Sequence, residues 1–549
     1  MRKITTAVLC VLSVIGSKAQ SDQAPFSRPR LVVGIVVDQM RYDYITRFWD
    51  RYGDGGFKRM VNEGFNCRNN HYPYAPTKTG PGHASVYTGS TPGVHGIISN
   101  DWYDKEQDKM VYCAGDESQE PVGTDSDAGR MSPHRLKTTT VTDQLRLATA
   151  LRGKVVGVSL KDRGSILPAG HMANAAYWFV GGDEGRWVTS SYYMDELPEW
   201  VSRFNSSGKA KSYIKTWEPL YDIDSYVESG TDDNPYEGPF KGEKSPVFPH
   251  DLKKLMKNNG GYEILKSVPF GNSLTLDFAL ESIDGEDLGQ DDITDFLAVS
   301  FSATDYVGHR FGVNSKEIQD TYLRLDKDLE RLLDALDKKV GKGEYTVFLT
   351  ADHAAVQVPS YLQSLGVPAG YFSQLDFTVH MKKFTKEKYG VDDLIANISN
   401  DQIFINHKVA KEHDLSIRKI QQDLVEEAMQ YKDIERAYPA YAFTEGEFTE
   451  RFSALLQRGY NQKRSGDVLL VLAPAVVSYP KTGSTHGSPY NYDTHTPLLF
   501  YGKGIQEGKS TVKETHINDA APTISALLGI AFPSGATGTP VYQALETDE

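Results

Sequence analysis

Long apolar runs are missing from this chain beyond its first residues: nowhere else does a stretch approach the roughly 18 residues needed to span a bilayer, so membrane insertion is not expected. Cysteine is nearly absent, with Cys10, Cys67 and Cys113 the only three in 549 residues, which rules out a disulfide-built scaffold. Excess positive charge is also lacking. The formal net charge is -14, and an acidic surface argues against a nucleic acid partner. Any anionic substrate must then be drawn in by local cations, either metal ions or clustered Lys and Arg. No internal repeat or low-complexity tract interrupts the sequence.

The first segment reads as an export leader. Arg2 and Lys3 precede the apolar stretch Ala7 to Ile15, and Ser17-Lys18-Ala19 offers small residues where a signal peptidase cuts, with a polar switch at Gln20. Residues 1–19 are therefore expected to be removed and the protein to be periplasmic or secreted. Cleavage takes away Arg2, Lys3 and Lys18 and no acid, so the net charge moves from -14 to -17. Cys10 lies too early for a lipid anchor. Cys67 and Cys113 then remain in a compartment that permits pairing, which the sequence leaves open.

Short β-branched runs recur, each followed by polar residues: Leu31 to Val37, Val155 to Leu160, Phe296 to Phe301, Tyr345 to Leu349 and Leu498 to Tyr501. Such runs suit strands covered on both faces. Between two of them Ile318, Tyr322, Leu325, Leu329, Leu332 and Leu336 mark one face of a helix, with Asn314 and Glu317 placed for a capping box. Strand, helix, strand predicts an α/β fold: a central, mostly parallel sheet with helices on both faces. Residues 28–549 form one catalytic domain in this reading, with insertions at about 170–285 and 365–480.

The polar residues at those strand ends carry the chemistry. Asp38 follows the first strand, Asp305 and His309 the third, and Asp352 with His353 the fourth, so one crevice at the carboxyl ends can collect them. Carboxylate and imidazole together suit zinc, and these five, with one further ligand, are enough for two ions that hold both oxygens of an in-line displacement. The segment Ala75-Pro-Thr-Lys-Thr-Gly-Pro-Gly-His-Ala-Ser85 supplies a hydroxyl beside glycines at a helix start, a natural anion site. Thr79 is preferred over Thr77 and Ser85. Lys161 and Arg163, taken as i and i+2 of an extended segment, can meet one phosphoryl group together.

Asp38, Pro-Thr-Lys-Thr79-Gly-Pro-Gly-His, Asn100-Asp-Trp-Tyr, Asp305 to His309, Asp352-His353, His486-Gly487 and Asp519-Ala-Ala-Pro-Thr resemble the alkaline phosphatase superfamily over about residues 30–530. Within it the pattern is most similar to the PafA-type phosphate-irrepressible alkaline phosphatases, which use a threonine nucleophile. The resemblance implies two Zn2+: one on Asp305, His309 and His486, the other on Asp38, Asp352, His353 and the Thr79 oxygen. His495 is the rival to His486, and His83 and His95 are taken as supporting residues. It further implies that Asn100, Lys161 and Arg163 contact phosphate, that small-molecule phosphate monoesters are the substrates, and that no magnesium is essential. The nucleophile segment lacks the oxidisable residue and arginine of sulfatases. A phosphodiesterase or nucleotide pyrophosphatase of the same superfamily is the alternative, and a non-catalytic phosphate- or metal-binding protein is the second.

Overall fold

The computed structural model describes residues 28–546, so the expected leader at 1–19 lies outside the described residues. Ten strands form the main sheet: β1 (Leu31–Val37), β2 (Phe65–Cys67), β3 (Pro121–Val122), β4 (Val155–Ser159), β5 (Ala175–Val180), β6 (Arg186–Ser190), β7 (Asp295–Phe301), β8 (Tyr345–Thr350), β9 (Leu498–Gly502) and β10 (Lys509–Thr511). Their spatial order is β10-β2-β9-β8-β1-β7-β4-β5-β6-β3. The central run β8-β1-β7-β4-β5 is parallel, while β9 enters antiparallel to β8 and β6 antiparallel to β5. The α/β expectation holds, with antiparallel strands at the flanks.

Residues of β1 alternate between the two faces, as a strand covered on both sides requires. Val33, Ile35 and Val37 join one core cluster, with Leu274 and Phe278 of α3 (Phe270–Gly285) and Tyr322 and Leu329 of α5 (Lys316–Leu336). Val32 and Val36 join another, with Val86 and Tyr87 of α1 (Thr79–Thr88) and Ile524 of the closing helix Ala520–Leu528. Helices therefore cover both faces. Cys67 and Cys113 are both buried and free, in different clusters.

Two expectations need correction. The helix face from Ile318 to Leu336 is buried, but the N-cap of α5 is Ser315, whose hydroxyl accepts from the Ile318 amide at 3.1 Å. Asn314 instead bonds Gln357, and Glu317 is buried against His250; the serine one residue later satisfies the free amide, so neither is needed as a cap. The segment 170–285 is more than an insertion over the sheet edge. It supplies β5 and β6 and ends in α3, and its aromatic richness reflects Tyr177, Trp178, Phe179 and Trp187 buried in the core. Residues 365–480 build a separate four-stranded antiparallel sheet, ordered 395–399, 402–405, 468–472, 434–439, on a core that includes Phe377, Met381, Ile420 and Leu424.

His250 ties the connection before α3 to α5. Burial pulls its pKa down, but bonds to Glu243 at 2.8 Å and Glu317 at 3.3 Å prevail and raise it to about 9. An unfolded histidine titrates at about 6.5, so this stabilisation is complete below that pH and is lost as pH rises through about 9. His250→Gln is expected to lower the melting temperature by about 5 °C at pH 6.5, since a buried ion pair loses one partner. The gap to the parent should narrow by pH 10 in a thermal scan; a constant gap contradicts the assignment.

Candidate active site

The four parallel strands β8, β1, β7 and β4 end side by side, and a polar residue leaves each end. Asp38 follows β1, Asp352 and His353 follow β8, and Lys161 follows β4. Asp305 and His309 lie one turn apart on α4 (Ala303–Phe311), directly after β7. His486 arrives from the loop before β9, where its Nδ1 donates to the Thr77 carbonyl at 2.7 Å.

The donors cluster at distances that suit shared ions. Two ligands of one tetrahedral zinc, each about 2 Å from it, stand roughly 3.3 Å apart. His353 Nε2 lies 3.5 Å from Asp38 Oδ1 and 3.4 Å from Asp352 Oδ2, and His309 Nε2 lies 3.1 Å from Asp305 Oδ1. His486 Nε2 is 3.9 Å from Asp305 Oδ1, and its ring stacks on His353 with centroids 3.3 Å apart. Asp38 Oδ1, Asp352 Oδ2 and His353 Nε2 are buried without a hydrogen-bond partner, an arrangement a cation explains and a resting core does not. By distance, His353 groups with Asp305 and His486 as well as with Asp38 and Asp352. The residues fit metal ions.

Electrostatics point the same way. Burial pushes the Asp38 and Asp352 carboxyls up, reinforced by Asp305 at the first and Asp38 at the second. For Asp305 burial is outweighed by His309 and Lys161, and its pKa falls well below the usual range. Burial holds His353 and His486 neutral, the latter down to about 3, leaving lone pairs for a metal. Each ring has its Nδ1 hydrogen donated to a carbonyl, Ala354 for His353, Ser484 for His309 and Thr77 for His486, so Nε2 is the atom turned inward.

Thr79 is the first residue of α1 and is buried. The rival hydroxyls are committed elsewhere: Thr77 donates to the Ser488 carbonyl, and Ser85 bonds Tyr74 and His95. Gly82 lets the helix start press against the metal ligands, because a Cβ there would sit 2.2 Å from the Asp352 carbonyl oxygen. His83 braces the same turn, bonding the Thr79 carbonyl and Ser300. His95 bonds Ser85, and His495 lies apart from the cluster, stacked on Tyr42 and His71.

Asn100 accepts from the Gly80 amide at 2.7 Å, which places it beside Thr79 and leaves its own amide hydrogens for a ligand. Lys161 and Arg163 lie close together, but not as an extended pair: β4 stops at Ser159, Lys161 is the residue just before α2 (Asp162–Ala169) and Arg163 sits in its first turn. Lys161 Nζ donates to Asp38 Oδ2 and Asp305 Oδ2, both at 2.6 Å, so the ammonium bridges the two ligand groups. Arg163 is held by the Tyr112 hydroxyl at 3.0 Å.

Some contributors escape a reading by motif. Gln39, at φ 66°, donates its side-chain amide to Asp305 and its backbone amide to Asp352. Asp493 shapes the His486 loop by accepting from Gly487 and Ser488, and burial raises its pKa to about 7. Gln39 adjoins Asp38 and was visible only as a neighbour; Asp493 carries no sequence signal. A cavity of about 360 Å³ beside His486, bordered by Lys78, Gln374, Asn400 and Ser488, is lined by residues of both the centre and the 365–480 unit. A larger cavity of about 810 Å³, near Arg458, Lys513 and Tyr542, contains none of the candidate ligands.

A family model for type I phosphodiesterases and nucleotide pyrophosphatases matches residues 32–497. Over 548 residues, and 99% of both chains, the sequence is 45% identical to alkaline phosphatase PafA of Elizabethkingia meningoseptica. It is 44% identical over the same span to a Myroides odoratus protein named a calcium-transporting ATPase. The crystal structure of wild-type alkaline phosphatase PafA superposes with a TM-score of 0.91, covering 94% of this chain and 99% of that one.

Proposed function

Since the chain belongs to the alkaline phosphatase superfamily and is an alkaline phosphatase, we propose that it cleaves phosphate monoesters through a covalent phosphothreonine at Thr79. The observation that carries this reading is the set of partnerless buried donors, Asp38 Oδ1, Asp352 Oδ2 and His353 Nε2, gathered at the helix start that bears Thr79.

Asp305, His309 and His486 would hold one zinc, and Asp38, Asp352 and His353 with the Thr79 oxygen the other. Bound there, the ions supply Lewis-acid stabilisation of the attacking and leaving oxygens and lower the pKa of the nucleophile. The Thr79 hydroxyl forms the new bond to phosphorus as the ester oxygen departs on the opposite side, and water then releases inorganic phosphate from the threonine. The positive end of α1 and the Asn100 amide meet the phosphoryl oxygens. Lys161 balances Asp38 and Asp305 and lies within reach of an anion brought to them; Arg163, fixed by Tyr112, adds a second cation. Two cations on the non-bridging oxygens favour a dianionic monoester over a diester, whose extra substituent replaces one charged oxygen.

The phosphodiesterase reading is the alternative, favoured by the name of the matching family. Rates on an aryl phosphate and its methyl diester decide between them: the monoester should turn over faster by about a hundredfold or more, in keeping with two charge-assisted contacts. Replacing both Lys161 and Arg163 by alanine should slow the monoester far more than the diester. A faster diester, or equal losses, overturns the monoesterase assignment. Release of the terminal phosphate of ATP, the hydrolysis implied by the Myroides odoratus name, is a displacement of the same kind. Among the described residues no helix is long and apolar enough to cross a membrane. The leader expected from the sequence supports an exported enzyme, acting on small-molecule phosphate esters.

A further inference from the structure

The unit at 365–480 meets the reaction centre at several places, Tyr479 stacking on His309 among them, and one of these contacts is a hairpin tip. Strands Ile395–Ser399 and Gln402–Ile405 are joined by the two-residue turn Asn400-Asp401, with φ of 53° and 54°. Both residues are left-handed, as a tight hairpin of this type demands, and Asn and Asp tolerate that backbone best after glycine. The hairpin tip is therefore a stiff projection.

Its asparagine makes three bonds to the catalytic face. Asn400 Oδ1 accepts from Lys78 Nζ at 2.8 Å and from Ser99 Oγ at 2.8 Å, and Nδ2 donates to the Asp101 carbonyl at 2.8 Å. Lys78 is the N-cap residue immediately before Thr79, and Ser99 and Asp101 flank Asn100. The two segments are otherwise joined through the Gly80 amide and Asn100. One side chain thus fastens the segment before the nucleophile to the residues on either side of the phosphate ligand.

We propose that Asn400 is a positioning residue, which sets the distance between Thr79 and Asn100 from the 365–480 unit. The inference rests on the roles given to Thr79 and Asn100 above. Bonds that lock a reacting group in place govern rate strongly, because a shift of about 1 Å can slow turnover a hundredfold. Simple docking of the two units is the competing role, and it has other supports: Lys105 Nζ donates to the Ser465 carbonyl at 2.8 Å and the Gln462 carbonyl at 3.3 Å.

Asn400→Gly removes the side chain while keeping a residue suited to positive φ, so folding is preserved. With zinc-loaded full-length enzyme and an aryl phosphate, it should lower kcat/KM by about 10- to 100-fold. Lys105→Ala, which cuts a docking bond only, should change it by less than about twofold. In an Asn100→Ala background the loss from Asn400→Gly should shrink to about threefold or less, since the two substitutions break one arrangement. Equal losses from Asn400→Gly and Lys105→Ala, or an Asn400→Gly loss undiminished in the Asn100→Ala background, overturn the proposal. If Asn100→Ala is impaired and Asn400→Gly is parent-like, the inference alone fails. If Asn100→Ala turns over normally, the reading of the site fails and the inference with it.

Discussion

Thr79→Ala is expected to reduce turnover of a phosphate monoester by about four orders of magnitude, the scale seen when a covalent nucleophile is removed from an otherwise intact site. The residual rate would come from the bound metals and the phosphate contacts. The loss should not reflect unfolding, because the change deletes a hydroxyl and one methyl at the first helical position, where α1 is already braced by the His83 bond to the residue 79 carbonyl. Rapid acid quench with labelled substrate gives a second readout: label should stay on the parent chain at Thr79 and be missing from the variant. Thr77 and Ser85 are not ready substitutes, since each hydroxyl is committed to a bond within the fold. Activity within tenfold of the parent would place the nucleophile elsewhere.

Removing metal should be comparably severe. Asp38, Asp305 and Asp352 are buried together, and Lys161 is the cation hydrogen-bonded to the first two. Divalent ions relieve that repulsion, so chelation should abolish activity, by about a thousandfold or more, given the several kcal/mol of charge stabilisation such ions provide. It should also lower the melting temperature, because ligand present at a thousand times its Kd stabilises the fold by about 4 kcal/mol. Adding Zn2+ should restore both, with about two ions per chain by metal analysis, matching the two donor groups. A metal-free preparation that is fully active would falsify the metal assignment.

Much of the fold is legible in the sequence. The strands at 31–37, 296–301 and 345–349 are legible because β-branched runs buried on both faces need no partner-specific signal, and the polar residues within a few positions of each strand end are located with it. The α5 face likewise followed from its period. The cap of α5 did not, since Asn314 and Ser315 are both good caps and the choice turns on which residue Gln357 occupies. Lys161 and Arg163 stand out in the sequence as neighbouring cations, but their geometry does not: strand β4 ends earlier than the apolar run, and the two residues sit at a helix start instead of on a strand.

Sequence by itself determined which residue types stand at strand ends and beside the glycines of the nucleophile segment, because periodicity and local propensity are properties of neighbours along the chain. It also set the charge that makes a cationic centre necessary. Only the tertiary structure decided that Lys161 stands between two carboxylates and that Asn400 reaches from a separate sheet to Ser99 and Lys78. Those contacts join residues hundreds of positions apart, and what selects them is the burial and close packing of the whole fold, for which no short stretch of sequence carries a signal.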